Sequence, residues 1–292
     1  MAGVVSDRMT SSIVSASPCF GLSGSARLAG VIGWPVRHSR SPKLHGHWLA
    51  RYRIDGAYVP LAVAPERFET AVRGLVACGF RGANVTIPHK QAALALCDEV
   101  EDQARLAGAV NTLVFENDRI IGSNTDGYGF VANLFDHGID PAAGPALLFG
   151  AGGAARGIAA ALSALVPVAL CARRDEAAAE LAALLPNTSA VPWSRRQDVL
   201  KEYTLVVNTT AAGMDGHPAL EIDLSRAPDG LAVADIVYTP LETPLLHAAR
   251  LRGLPVAEGL GMLLHQARPG FRSWFGVEPE VDDALRTAVL AG

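Results

Sequence analysis

The stretch from Pro145 to Arg156 constrains this chain more than any other. Ala146 to Phe149 is a continuous apolar run, and Gly150-Ala-Gly-Gly-Ala-Ala-Arg156 follows it directly. An unbroken apolar run reads as a strand buried on both faces, as in a parallel sheet. Gly150, Gly152 and Ala155 fit the pattern G-x-G-x-x-G/A. The first glycine permits a tight turn, the second lets a pyrophosphate approach the backbone, and the small third residue packs helix on strand. The alanine-rich segment that follows reads as a helix whose N-terminal amides face an anion. A purely structural turn is the competing reading. The apolar strand before the loop and the helix after it favour dinucleotide binding.

The next strand, Val166 to Cys171, refines the cofactor. An NAD site places Asp or Glu about 20 residues on, to accept from the ribose 2′-OH. Here Ala172, Arg173 and Arg174 occupy that end. A guanidinium pairs with a 2′-phosphate where a carboxylate repels it, so the pattern favours NADP. The alternative is a solvated helix start, with Asp175 taking the ribose.

The same alternation continues. Strands are predicted at Leu205 to Asn208, Ala232 to Ile236 and Leu254 to Ala257, and helices at Asp175 to Leu185 and Thr243 to Arg252. This is the pattern of a parallel sheet covered on both faces. Before the glycine loop, strands are predicted at Leu28 to Gly33, Ala57 to Val63, Arg81 to Ile87, Ala109 to Phe115 and Arg119 to Ser123. Asn117-Asp118 reads as the turn between the last two. Ser41-Pro42 reads as a helix start with Ser41 at the N-cap. Further helices are predicted over Pro65 to Cys78, Pro88 to Leu96 and Asp98 to Ala107, and from Gly259 to the end.

A chain of 292 residues, half of them hydrophobic, is long enough for two domains. A net charge of −4 argues against nucleic-acid binding, and no polybasic patch points to a membrane. No apolar run reaches the roughly 18 residues of a membrane helix. Cys19, Cys78, Cys97 and Cys171 form no CxxC, so reduced, mostly buried cytoplasmic thiols are expected. Residues 1–27 read as a loose, disordered tail rich in Ser, Ala and Gly, and Met9 is a candidate later start.

Four segments of the first half place polar residues at strand ends: Gly33 to Pro42, Gly82 to Lys90, Ala109 to Thr112, and Ser123 to Gly127. Hydroxyls at a helix N-terminus suit a carboxylate. A Lys with an Asp can shuttle an alcohol proton while hydride leaves the carbon. Each residue also has a structural reading: Ser41 and Asp126 as helix caps, Asn84 and Asn111 as loop bridges, Lys90 as a solvated lysine. His38 reads as a packing residue. His45, His47 and His89 show no metal-ligand pattern, so no metal is predicted. Asp282-Asp283 reads as a solvated helix face.

Taken in order, GWPVRHSRSPKLH, GANVTIPHK, GAVNTLV, SNTDGYG, GAGGAAR, DIVYTPLETPLL and EGLGMLLHQARPGF resemble the shikimate/quinate dehydrogenase family from about Leu28 to Trp274. The resemblance implies an α/β substrate domain over 28–125 and 260–292, a Rossmann-like NADP domain over 126–259, and an active site in the cleft between them. It implies that Ser39 and Ser41 hold the substrate carboxylate, and that Asn84, Thr86, Asn111 and Gln266 bind ring hydroxyls, with Tyr238 lining the site. Lys90 and Asp126 become the catalytic pair. Gly150, Gly152, Gly153 and Ala154 meet the pyrophosphate with Arg156 nearby, Arg173 and Arg174 meet the 2′-phosphate, and Thr209, Met214, Gly259 and Met262 border the ribose and nicotinamide.

The implied reaction is NADPH-dependent reduction of 3-dehydroshikimate to shikimate, a cytoplasmic step of chorismate and aromatic amino-acid biosynthesis. The small-molecule substrate is the expected partner, and a homodimer is a further expectation that no sequence pattern identifies. Relatives often read Asn-Arg-Thr where this chain has Ala172-Arg173-Arg174, which leaves the margin of NADP over NAD open. Gly46 also departs from the family, at a packing position. A quinate/shikimate enzyme with relaxed or NAD preference is the alternative within the class. A non-catalytic sensor is the alternative outside it, and it would have lost Lys90 or Asp126.

Overall fold

The computed structural model describes residues 21–291. Strands β1 (Arg27–Gly33), β2 (Gly56–Ala62), β3 (Gly82–Val85), β4 (Glu99–Val100), β5 (Thr112–Glu116) and β6 (Arg119–Ser123) form the first sheet, in the order β2-β1-β3-β5-β6-β4. β1 pairs parallel with β2 and β3, whereas β5 runs antiparallel to β3 and β6. Asn117 and Asp118 both have positive φ, 52° and 59°, and connect paired Glu116 and Arg119. Two consecutive left-handed residues match the turn twist to that of the strands, so the predicted hairpin forms there.

Helices α1 (Ser41–Arg51), α2 (Phe68–Ala77), α3 (Lys90–Leu96) and α4 (Asp102–Ala107) flank this sheet. Period-two alternation sorts its residues. Ile32, Ala83, Val85 and Leu113 face one apolar cluster with Phe68, Val72, Ala93 and Ala104. Ala29, Val31 and Tyr58 face another, with Leu44 and Trp48. Asn84 lies between Ala83 and Val85, so its side chain falls on the second face.

A long helix, α5 (Asp126–Asp136), leads into the second half. Strands β7 (Ala146–Phe149), β8 (Val168–Cys171), β9 (Thr188–Ala190), β10 (Leu205–Asn208), β11 (Ala232–Asp235) and β12 (Val256–Ala257) form a second sheet, wholly parallel, ordered β12-β11-β10-β7-β8-β9. Counted from β7, this is the doubly wound order 3-2-1-4-5-6, with its switch point between β7 and β10. Helices α6 (Gly153–Leu162), α7 (Asp175–Leu184) and α8 (Pro244–Leu251) cover it. Leu148, Leu170 and Val207 pack beneath Ile158 and Leu162, while Leu147, Phe149 and Val206 face Leu245 and Leu246.

The last helices, α9 (Gly259–His265), α10 (Arg268–Phe275) and α11 (Asp283–Leu290), return to the first sheet. Phe271, Trp274 and Val289 join the cluster around Trp48, and Trp274 Nε1 donates to Leu113 O at 3.0 Å. Trp48 Nε1 donates to Glu280 O at 2.8 Å. Each fully buried large side chain here contributes roughly 1.5–3 kcal/mol over its exposed state.

Several expectations change. Ser41 is not a cap. It is the first residue of α1, and Arg40 at the N-cap makes no side-chain bond. Asp126 likewise opens α5, with its carboxylate engaged elsewhere. Asp282 is not a merely solvated residue: it caps α11 by accepting from Leu285 N at 2.9 Å and pairs with Arg51. The segment predicted helical from Asp98 first forms β4, because Glu99 and Val100 pair with Ile121 and Gly122. β9 carries only three residues and had no periodicity to announce it. Cys171 is buried and Cys97 half-buried, but Cys78 is exposed. The tail expected over 1–27 lies mostly outside the described residues, as does Cys19. Within them, Ser23 N donates to Asp55 Oδ1 and β1 begins at Arg27.

Candidate active site

Lys90 begins α3 just beyond the end of β3, and Asp126 begins α5 just beyond the end of β6. Lys90 Nζ donates to Asp126 Oδ2 at 2.7 Å, with side-chain exposures of 31% and 14%. The other carboxylate oxygen accepts from Asn111 Nδ2 at 2.8 Å. Asn111 has one available orientation. Its Oδ1 accepts from Thr125 N and Thr112 Oγ1, both at 2.9 Å, so its amide nitrogen must face Asp126. Asn124 fixes the turn, accepting from Asp126 N at 3.0 Å and donating to Ala109 O at 2.9 Å. Both charges of the pair are thus held by short bonds from secondary-structure ends, not from long loops.

A cavity of about 420 Å³ opens over this pair. Ser39, Ser41, Asn84, Thr86, Lys90, Asn111, Asp126, Tyr238 and Gln266 all line it, together with Gly259 and Met262. Ser39 Oγ accepts from Ser41 N at 3.3 Å, which brings both hydroxyls to the start of α1. Arg40 lies 5.5 Å from the Tyr238 ring centroid, a cation–π contact at the rim. His38 accepts from Arg37 Nε at 3.0 Å, which occupies its Nε2. Trp34, Pro35, Ile87 and Leu263 complete the wall. Leu263 fits its reading as core or cleft wall, whereas Trp34, Pro35 and Ile87 carry no functional signal in the sequence, because apolar lining reads as ordinary packing.

A second cavity, about 810 Å³, lies at the switch point of the parallel sheet. Gly150, Gly152, Arg173 and Arg174 line it, with Trp193, Thr210, His217 and Leu220. Gly150 has φ +124°, and a Cβ there would lie 2.5 Å from Thr209 Oγ1, so only glycine fits this turn. Gly152 and Gly153 face open space, and the α6 N-terminus carries no side-chain cap. An uncapped helix start with glycines toward the opening suits a pyrophosphate. Asp175 Oδ1 accepts from Trp193 N at 2.7 Å, which counts against its serving the ribose. Both arginines are exposed at the mouth. These features fit a dinucleotide bearing a 2′-phosphate.

A third opening joins the two, lined by Lys90, Asp126, Gly152, Gly153, Ala154, Arg156 and Arg174. Arg156 Nε donates to Leu106 O at 2.8 Å, so part of that guanidinium caps α4 across the cleft. Thr209 and Met214 line none of these three cavities. The Thr209 hydroxyl donates to Phe149 O at 2.6 Å and backs the Gly150 turn. Among the described residues, no group of three or more His, Cys, Asp or Glu is placed to hold a metal.

A doubly wound dinucleotide domain facing a Lys–Asp pair across a cleft defines an NADP-type oxidoreductase acting on a CH–OH group. Comparison with known proteins narrows the class. The shikimate dehydrogenase substrate binding domain matches residues 31–113, and the shikimate 5'-dehydrogenase C-terminal domain matches residues 259–289. The shikimate dehydrogenase (NADP(+)) of Acidiphilium cryptum is 64% identical over 271 residues, covering 92% of this chain and 98% of that protein. The chain belongs to the shikimate dehydrogenase family. The structure of the Thermus thermophilus enzyme in complex with NADP(H) and shikimate superposes with a TM-score of 0.80 at 36% identity, covering 90% of this chain and 98% of that one. Quinate dehydrogenase from Corynebacterium glutamicum in complex with NAD gives 0.84 at 31% identity, covering 91% and 99%.

Proposed function

We propose that this protein reduces 3-dehydroshikimate to shikimate with NADPH, reversibly, in the cytoplasm. The observation that carries the reading is the 2.7 Å Lys90–Asp126 pair, set in one cavity with Ser39, Ser41, Asn84, Asn111 and Gln266. The domain division is 28–125 with 260–292 for substrate and 126–259 for cofactor. The return of α10 and α11 to the first sheet supports it. A homodimer belongs to the same reading.

Ser39 and Ser41 hold the substrate carboxylate at the start of α1. Asn84, Thr86, Asn111 and Gln266 bind ring hydroxyls, and Tyr238 closes the rim. NADPH, when bound, supplies the hydride for the C3 ketone. Lys90 Nζ donates the proton to the carbonyl oxygen and takes it back in the reverse direction. Asp126 keeps that ammonium aimed at the oxygen, and Asn111 keeps Asp126 in place. Gly150, Gly152, Gly153 and Ala154 receive the pyrophosphate at the α6 N-terminus, with Arg156 beside them. Arg173 and Arg174 pair with the 2′-phosphate. Gly259 and Met262 border the nicotinamide, and Thr209 backs the Gly150 turn that receives the pyrophosphate.

The test is turnover followed at the nicotinamide absorbance band, with shikimate or quinate and NADP⁺ or NAD⁺. The expected result is highest kcat/KM with shikimate and NADP⁺. Faster turnover with quinate and NAD⁺ would establish the quinate reading. No turnover in any combination would establish a non-catalytic protein.

A further inference from the structure

One buried hydroxyl beneath the substrate cavity has no part in the reaction just described. Tyr58 sits on β2 and is 7% exposed. Its ring stacks on His45, with centroids 3.9 Å apart and planes within 7°. His45 is fully buried, and neither ring nitrogen has a hydrogen-bond partner of good geometry. Burial holds His45 neutral, its pKa lowered to about 3 despite the neighbouring Asn84. The imidazole is therefore a flat packing surface that fixes the phenol ring, and Trp48, Phe271 and Trp274 close the cage around it.

The hydroxyl leaves this cage at one point. Tyr58 OH donates to Asn84 Oδ1 at 2.6 Å, and Ser41 lies against the same hydroxyl. Asn84 Nδ2 is already committed, donating to Asn111 O at 3.2 Å and Thr112 Oγ1 at 3.1 Å. An amide nitrogen has two protons, so Asn84 has none left to give. The one capacity it keeps toward the cavity is the second lone pair of Oδ1, which accepts from a ligand hydroxyl. Tyr58 holds the atom that carries that lone pair.

We infer that Tyr58 is a positioning residue for substrate recognition, its hydroxyl holding the Asn84 carbonyl as a fixed acceptor for one ring hydroxyl. The inference rests on the shikimate reading of the cavity. An acceptor used equally in ground and transition states affects KM and leaves kcat in place.

The experiment compares wild type, Tyr58→Phe, Asn84→Ala and the double variant, with shikimate varied at saturating NADP⁺ and then the reverse. Tyr58→Phe keeps the ring and its stack on His45 and removes one oxygen. Its KM for shikimate is expected to rise about tenfold, the loss of one hydrogen bond to a buried acceptor. Its kcat stays within about twofold, and its KM for NADP⁺ is unchanged. In the Asn84→Ala background the same change adds less than about twofold, because its target is gone. An unchanged KM for shikimate, full additivity with Asn84→Ala, or equal losses in kcat and in both KM values would each overturn the inference. Absence of wild-type turnover would instead count against the shikimate reading, so the two failures are distinguishable.

Discussion

The two cavities that meet at Lys90 and Asp126 are built in opposite ways. On the first sheet, side chains hold one another: Tyr58 holds Asn84, Thr112 joins Asn84 to Asn111, and Asn111 holds Asp126. On the second sheet, backbone does the holding. Gly150, Gly152 and Gly153 clear space at an uncapped helix end, and Arg173 and Arg174 stand exposed at its mouth. The difference follows from what each side receives. Proton transfer requires atoms fixed to a fraction of an ångström, which interlocked buried polar groups provide. A dinucleotide is large and charged, and a helix N-terminus with exposed guanidiniums binds it without such a lattice.

Breaking the Lys90–Asp126 end of the first side should therefore cost rate, whereas breaking the second side should cost cofactor affinity. Lys90 itself apart, the largest effect is expected from Asp126→Asn, which keeps shape and removes charge. Its kcat should fall on the order of a hundredfold or more, the usual scale of acid–base assistance. A steady-state rate near wild type would remove the carboxylate from the chemistry. Next comes the double change Arg173→Ala with Arg174→Ala. Its KM for NADP⁺ should rise roughly 10- to 100-fold through lost charge-assisted bonds, while KM for NAD⁺ stays nearly constant. Equal losses with both cofactors would mean that the arginines do not read the 2′-phosphate.

A smaller effect sharpens the comparison at the joint between the two sides. Glu258 precedes α9, and its carboxylate meets His137 at 2.8 Å and pairs with Arg286. The His137 hydrogen bond, and then Arg286, bring the Glu258 pKa down from 4.5 to about 2 against the opposing cost of burial. The same bond raises the His137 pKa above 6.5, again against burial. A depressed carboxylate stabilises the fold above pH 4.5, and that contribution is lost as pH falls toward about 2. A raised imidazole stabilises below pH 6.5, and its contribution is lost as pH rises through the folded value. The two overlap between pH 4.5 and 6.5. Glu258→Gln should thus lower Tm more at pH 5.5 than at pH 8.5 in thermal melts. An equal drop at both would leave His137 out of the coupling. The smallest effect expected is from Asp282→Ala, a lost N-cap worth about 1 kcal/mol, read as a Tm fall of roughly 2–4 °C with kcat unchanged.

The same contrast decides what was legible in the sequence. The second sheet announces itself, since continuous apolar strands and a glycine loop have few other uses. Lys90, Asp126 and the serines stood out because polar residues at strand ends demand a reason. What the sequence could not disclose was pairing within the first side. Tyr58 reads as any strand aromatic, and the polar segment that holds Thr112 does not say which neighbours it joins. Their roles depend on β2, β3 and β5 being brought into register, an arrangement of long-range contacts. Asp126 and Ser41 were readable as caps because cap and catalytic positions share residue types and differ only in where the side chain turns. Thr209 and Met214 were placed by resemblance alone, and neither reaches the cavities.

Lys90 is the residue on which proton transfer depends. Shikimate binding to Lys90→Ala, measured by titration calorimetry beside its steady-state rate with NADP⁺, separates holding the substrate from transforming it. The predicted result is a Kd within several-fold of wild type, with kcat lower by roughly a thousandfold. Near-normal turnover in that variant would contradict the assignment of proton transfer to Lys90.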